Sequence, residues 1–260
     1  MLGGCVTETA ATRETGVEGG LRSVLAALDL LDCFADEDEL GVTELAKRIG
    51  VAKSTAHRLL TTLCARGLAS RNDETGRYRL GMHLYELGQL AVGRNEIRNA
   101  ALPLLQELQQ ATGGTIHLAV PDISEVVYLE RLVSRAATAR FSRVSRRLPA
   151  HCTSSGKAIA AFTPDLAAAR STAGFTSLTS RSIHTARQFA LALAETRKRG
   201  YAVSVDEAVE GLTSVAAPVK AHDGSARAAI SVVGPTDRVL ADVDRPARLV
   251  QLAAQKLSRE

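Results

Sequence analysis

The sequence predicts an α+β chain in two folded parts: a winged helix-turn-helix over residues 21–80 and an α+β domain with an antiparallel sheet over 96–260, joined by a linker helix at 81–95. Three observations predict this. Residues 42–80 read as a short helix, a turn at Gly50, a longer helix stopped by Gly67, and a hairpin around Asp73-Glu74-Thr75-Gly76. Past Gly114 the apolar pattern changes from helical to short β-like runs bounded by Pro, Asp and Gly. Those runs are joined by hairpins, with helices at the ends, which favours an antiparallel sheet. At 260 residues the chain is long enough for two cores.

The elements follow in order. Residues 1–20 are polar and rich in small side chains and read as a disordered tail, with no basic segment and apolar core of a secretory leader. Residues 21–34 place Leu21, Val24, Leu25, Leu28, Leu31 and Cys33 near helical spacing. An acidic connector, 36–41, leads to a helix at 44–49 capped by Thr43 and ended by Gly50. The next helix starts at Ala52 or Ser54 and runs to Arg66; Ala56, Leu59, Leu60 and Leu63 fall at i, i+3, i+4, i+7 and face inward. Residues 68–71 and 77–80 form the hairpin. Met82, Leu84, Tyr85, Leu87, Leu90 and Ala91 give the linker helix a sticky side. Asn95 caps a helix to about Ala111, closed by Gly113-Gly114. Strands are expected at 115–120 and 126–132 around a Pro121-Asp122 turn, at 136–144, 201–205, 213–219 and 226–233. Helices are expected at 153–162, from Pro164, at 186–198 and at 246–257.

Composition narrows the class. Hydrophobic residues make up 45% and no run approaches the roughly 20 apolar residues of a membrane span. The cysteines, Cys5, Cys33, Cys64 and Cys152, form no C-x2-C pair, which argues against a disulfide framework or zinc module and for reduced thiols in the cytoplasm. His57, His117, His151, His184 and His222 are scattered with no i, i+4 pair, so no metal and no cofactor is expected. Net charge is only +4, but it is unevenly spread. Seven acids and no base lie between residues 29 and 44, then eight bases against two acids between 47 and 83.

That basic block sits where a helix would enter the major groove of double-stranded DNA. Lys53, Ser54, Thr55, His57 and Arg58 are the donors on its first turns. Arg58 or Lys53 suits guanine O6 and N7; Ser54 and Thr55 suit phosphate at a helix N-terminus. Arg77, at the wing tip, would approach the minor groove or the backbone. Any one of these residues alone reads equally well as surface charge; the arrangement is the specific signal. Farther on, Thr153, Ser154, Ser155 and Gly156 lie at a helix start, where free N–H groups favour a carboxylate and a glycine permits close approach. Ordinary capping by Thr153 or Ser154 explains the same residues.

The segment Thr-Glu-Leu-Ala-Lys-Arg-Ile-Gly-Val-Ala-Lys-Ser-Thr-Ala-His-Arg-Leu-Leu, residues 43–60, resembles the helix-turn-helix of the isocitrate lyase regulator (IclR) family. The likeness continues through Tyr78-Arg79-Leu80-Gly81, Leu148-Pro149-Ala150-His151-Cys152-Thr153-Ser154-Ser155-Gly156-Lys157-Ala158, Arg197-Lys198-Arg199-Gly200-Tyr201-Ala202, Gly211-Leu212 with Ala216-Ala217-Pro218-Val219, and Ile230-Ser231-Val232-Val233-Gly234-Pro235. It covers about residues 21–258. The resemblance implies a bacterial transcription regulator with a GAF-like effector domain, acting as a dimer or dimer of dimers on operator DNA under a small-molecule effector. It points to Leu148, Ser154, Ser155, Gly156, Leu212, Ser214 and Ser231 as pocket lining, with Asp206 or Glu207 beside it. Many members carry an acidic pair where Ser204 and Val205 stand, and Cys where Ser214 stands. The wording around 148–156 resembles members that sense aromatic acids, and Arg131, Arg140 or Arg143 could pair with a ligand carboxylate.

Two other readings remain at this point. Ser154-Ser155-Gly156-Lys157 fits the S-x-x-K pattern of serine hydrolases, although no K-T-G element accompanies it. A DNA-binding protein without a ligand would also explain residues 42–80, but not the large second domain.

Overall fold

The computed structural model describes residues 20–35, 37–134 and 146–260. The strand expected at 136–144, with Arg140 and Arg143, lies outside them. The chain divides into two compact units between Arg94 and Asn95.

In the first unit α1 (Arg22–Asp32), α2 (Val42–Arg48) and α3 (Lys53–Ala65) precede an antiparallel hairpin, β1 (Ala69–Arg71) and β2 (Tyr78–Leu80), and then α4 (Met82–Gly93). Leu30, Phe34, Leu40, Leu45, Leu60, Leu63, Ala69 and Tyr78 form the core. The wing gains a third, one-residue strand: Leu40 and Tyr78 exchange both backbone hydrogen bonds at 2.9 Å. The wing's return is tight, since a Cβ on Gly81 would sit 2.1 Å from the Gly67 carbonyl oxygen.

One expectation changes here. Thr43 does not cap α2; the helix starts at Val42 with Gly41 as its N-cap and no side-chain cap, so Thr43 falls inside the first turn. On α1 the apolar spacing does not mark a buried stripe. Leu30 is fully buried, whereas Leu21, Val24, Leu25 and Leu28 are exposed. On α4 no residue is buried, and Met82, Tyr85, Leu87 and Leu90 are exposed.

The second unit is built on an antiparallel sheet whose order among the described residues is β5-β4-β3-β8-β7-β6. The strands are β3 (Thr115–Asp122), β4 (Glu125–Leu132), β5 (Arg147–Pro149), β6 (Ala202–Val205), β7 (Leu212–Lys220) and β8 (Ala226–Pro235). The helices are α5 (Glu96–Thr112), α6 (Ser154–Ala160), α7 (Pro164–Ala173), α8 (Ala186–Arg199), α9 (Thr236–Ala241) and α10 (Asp244–Leu257). The Asn95 side chain accepts from the Arg98 N–H to start α5, and left-handed Gly113 ends it. One sheet face packs Ile116, Leu118, Val215, Ala217, Ile230 and Val232 with residues of α5 and α10 such as Leu105, Val250 and Leu257. The opposite face packs Ala119, Val126, Tyr128, Ala216 and Ala229 with α6, α7 and α8 through Ile159, Leu166, Phe189 and Leu193.

The β3–β4 turn is not at Pro121-Asp122. Strand β3 runs on to Asp122 and the chain reverses at Ile123-Ser124, with Ile123 left-handed at φ 55°. Pro121 is tolerated because its pairing with β8 has already ended at Ala119–Ala229, so no partner needs its missing N–H. Strand β5 and helix α9 are too short to show a period in the sequence.

Candidate functional site

Helix α3 buries one face and exposes the other. Ala56, Leu60 and Leu63 are buried, while Lys53, Ser54, Thr55, His57, Arg58 and Thr61 are exposed. Among the described residues the side chains of Lys53, Ser54, Thr55, His57 and Arg58 have no hydrogen-bond or ion-pair partner. The N-cap, Ala52, supplies no side-chain acceptor, so the first-turn N–H groups of α3 stay open.

The wing behaves differently. Arg77 does not project from its tip: its Nη2 donates to the Glu39 carbonyl at 3.0 Å and lies 3.4 Å from Glu44 Oε2 on α2. A guanidinium beside two acids of the 37–44 stretch turns toward them. Glu39 also accepts from Asn72 Nδ2 at 2.8 Å and from Thr75 Oγ1 at 3.1 Å, which holds its carboxyl below the usual range. Asn72 closes the turn by accepting from the Glu74 N–H at 3.0 Å. The sequence carries the signal for this turn in Asn72 at the first position of Asn-Asp-Glu-Thr-Gly, an Asx-turn opening.

In the second unit a cleft lies on the α6 side of the sheet, with about 370 Å³ of empty space including its open mouth. His117, Tyr128, Leu148, Thr153, Ala208, Val209, Leu212, Ser214 and Val233 line it. Leu148, Leu212 and Ser214 were expected there. Ser154 stands behind the wall, its Oγ donating to Ser214 Oγ at 2.7 Å. Ser231 is buried in the row His117–Ser231–Ala216 on the same sheet face, outside the lining. Ser155 is buried and its Oγ has no partner with hydrogen-bond geometry.

Two expected roles are corrected. Gly156 does not hold space for a ligand. A Cβ there would lie 2.2 Å from the Ala150 carbonyl oxygen, and the Gly156 N–H is taken by Thr153 Oγ1 at 2.9 Å. Thr153 is therefore an N-cap, and the anion-cradle reading of this short helix gives way to capping. Asp206 does not face the cleft either. It is left-handed at φ 56° and its Oδ1 accepts from the Gly211 N–H at 3.0 Å and from Thr236 Oγ1 at 2.6 Å, so it shapes the β6–β7 connection. Glu207 instead reaches under α6, where both carboxylate oxygens accept from Lys157 Nζ at 2.7 and 2.8 Å. Burial pulls the Lys157 amine below its ordinary range, and Glu207 opposes that shift.

Arg131, expected as a candidate partner for a carboxylate, lies beside the cleft, and two further polar residues of its lining, His117 and Tyr128, carry no such expectation from the sequence. The His117 and Tyr128 rings lie 4.4 Å apart, centroid to centroid, and the Arg131 guanidinium sits 5.3 Å from the Tyr128 ring centre. Burial, reinforced by Arg131 and Arg146, pushes His117 down to about 3, so its imidazole is neutral. Burial pushes the Tyr128 phenol up to about 12, against the pull of Arg131, Thr153 and Ser155. The cleft thus offers a neutral imidazole, a phenol and hydroxyls beside an apolar wall, with arginines flanking it. Alternation along β3 and β4 could have flagged His117 and Tyr128: each is a polar residue in an inward position.

A model of the IclR helix-turn-helix domain matches residues 23–73, and a model of the bacterial transcriptional regulator IclR C-terminal domain matches residues 89–259. The chain belongs to the IclR family. It is similar to the HTH-type transcriptional regulator XynR of Escherichia coli, 39% identical over 222 residues, or 84% of this chain and 88% of that protein. It is also similar to the regulator KdgR of the same organism, 30% identical over 241 residues and 92% of each chain. An IclR homolog from Microbacterium hydrocarbonoxydans, solved in complex with 4-hydroxybenzoate, superposes with a TM-score of 0.77 at 26% identity, covering 91% of this chain and 98% of that one. The chain is an IclR-type DNA-binding transcription regulator with a C-terminal effector-binding domain, not an enzyme. This overturns the S-x-x-K alternative, and the geometry agrees: Lys157 is committed to Glu207 and Ser154 to Ser214. Among the described residues no helix is long and apolar enough to cross a membrane, and no group of three or more His, Cys, Asp or Glu is placed to hold a metal ion.

Proposed function

We propose that this IclR-family regulator acts in the cytoplasm as a homodimer, or a dimer of dimers, that lays α3 of each protomer in the major groove of a pseudo-palindromic operator. Residues 21–80 read DNA, 81–95 link, and 96–260 bind the effector. The carrying observation is the α3 face: five donor side chains, exposed and without partners, opposite a buried apolar stripe. Side chains already bonded within the protein would have to give up those bonds to reach DNA; these do not. Arg58 or Lys53 takes guanine O6 and N7, Ser54 and Thr55 hold phosphate at the uncapped helix start, and His57 lies between them. The exposed apolar residues of α4, with those of α1, supply the surface that joins two protomers.

The effector is a small organic acid in the cleft lined by His117, Tyr128, Leu148, Leu212 and Ser214. The neighbour that binds 4-hydroxybenzoate supports an aromatic acid, and the Arg131 and Tyr128 pairing on that wall suits an anion with a flat apolar body. The acid prefers one arrangement of the regulator and shifts its population toward or away from operator binding. The test is an operator titration, on DNA flanking the regulator's own gene, with a panel of small carboxylic and aromatic acids. At least one acid should shift both operator affinity and melting temperature. If none shifts either, the effector part of the proposal is wrong.

A further inference from the structure

We infer that the buried Lys157–Glu207 ion pair positions the strap 206–211, which forms one wall of the effector cleft, so that both are positioning residues for effector binding and not ligand contacts. The inference rests on reading that cleft as the effector site.

The strap joins β6, which ends at Val205, to β7, which begins at Leu212. Its middle residues, Ala208 and Val209, line the cleft, and Val209 packs with Leu212 and Val233. Its ends are tied into the protein. Thr179 Oγ1 donates to the Asp206 carbonyl at 2.6 Å, Ser182 Oγ donates to the Glu207 carbonyl at 2.7 Å, and Asp206 Oδ1 accepts from Gly211 and Thr236. Asp206 and Gly211 are left-handed, at φ 56° and 77°, so the strap turns sharply at both ends. The wall-forming residues follow directly on Glu207, whose side chain is turned away under α6.

Helix α6 reaches both sides of the cleft. Ser154, on its first turn, holds Ser214 of the cleft lining, and Lys157, one turn on, holds Glu207 of the strap. Apart from Ser155, which lies against Tyr128, these are the described side-chain bonds of α6 to cleft-forming segments. Besides the strap's own bonds to Leu212, one rigid turn of helix thus ties the strap to β7 at Ser214. An apolar pair would bury the same volume without fixing a direction or a distance. A two-oxygen salt bridge at 2.7 and 2.8 Å fixes both, with Lys157 4% and Glu207 14% exposed.

The test uses the full chain. Lys157→Met alone strands a buried carboxylate and risks the fold, so the informative variant removes both charges, Lys157→Met with Glu207→Leu. We expect this double variant to melt within a few degrees of wild type. Hydrogen exchange at the Asp206, Gly211 and Leu212 amides, each hydrogen-bonded in the strap, should accelerate at least tenfold, and 4-hydroxybenzoate affinity should fall at least tenfold. Lys157→Arg, which keeps the ion pair, should restore both. Unchanged strap exchange in the double variant overturns the inference. So does faster exchange with wild-type affinity for an acid that the wild type binds. If the wild type does not bind 4-hydroxybenzoate but strap exchange still accelerates, the positioning role is upheld and the reading of the cleft is what has failed.

Discussion

The α3 face and the cleft of the second unit differ in how their polar residues are used inside the protein. On α3, Lys53, Ser54, Thr55, His57 and Arg58 are exposed and without partners among the described residues. Around the cleft, Ser154 is bonded to Ser214, Thr153 to Gly156, Asp206 to Thr236 and Lys157 to Glu207. A surface that meets a highly charged polymer can leave its donors in water until the partner arrives. Burying an unpaired polar group costs about 1–3 kcal/mol, so most polar side chains around the cleft are bonded. Substitutions on α3 should therefore change binding and spare stability, and substitutions around the cleft should change stability first.

The largest effect that would expose this contrast is acid. His117 and His151 are buried and neutral, at about 3 and about 4, with burial the main cause for each. The unfolded chain protonates both below about pH 6.5. Their contribution is complete above that pH and is lost as pH falls toward the folded values, because the unfolded state then binds more protons. Each histidine accounts for up to ~1.4 kcal/mol per pH unit in that window, so the pair accounts for about 3. Urea midpoints of the second unit, taken from pH 7 to 4.5, should fall steeply, and His117→Gln should remove about half of the slope. An unaltered slope in that variant would show that His117 is solvated, and the cleft more open than described.

Gly156→Ala comes next. Its Cβ would meet the Ala150 backbone at 2.2–2.6 Å, and backbone cannot swing aside as a flexible side chain can. We expect about 3 kcal/mol of destabilisation, or roughly 10 °C in melting temperature for a unit of this size. If the variant melts like wild type and loses only acid binding, Gly156 makes room for a ligand after all.

The same contrast explains what the sequence revealed. Helix α3 was legible because a surface helix announces both faces: Ala56, Leu60 and Leu63 repeat with the helical period, and the residues between them carry the charge. The sheet was legible from alternation, and the resemblance to the IclR family placed Leu148, Leu212 and Ser214 at the cleft. Asp206 and Gly156 were misread because a capping or turn-forming residue and a ligand-binding residue look alike in sequence, and only distances separate them. On α1, periodicity identified a helix but could not say whether its apolar side meets this chain's own core. Leu30 does, and Leu21, Val24, Leu25 and Leu28 do not.

Arg58→Ala tests the exposed side of the contrast. Operator affinity should fall by about 1–3 kcal/mol if Arg58 reads a guanine, with stability changed by no more than about 0.5 kcal/mol. Fluorescence anisotropy at fixed salt, beside a melting curve, checks both. An equal loss in the two measurements would move Arg58 into the structural set.

Arg77 is the residue on which the contrast is weakest, and its effect should be the smallest. It lies in the basic block of residues 47–83, yet it is partnered like a cleft residue, through the Glu39 carbonyl and Glu44. Glu44 is shared with Arg48, and these side chains are between a third and a half exposed. Pairs of that exposure contribute only ~0–1 kcal/mol. If Arg77 braces the wing, Arg77→Ala should lower stability by that amount and leave the dependence of operator binding on salt unchanged. If Arg77 instead leaves Glu44 for a phosphate when DNA arrives, the slope of log affinity against log salt should fall by about one unit while stability stays put. Titrations at several salt concentrations separate the two. The second outcome would place the wing with α3 and show that an internal partner as exposed as Glu44 does not withhold an arginine from DNA.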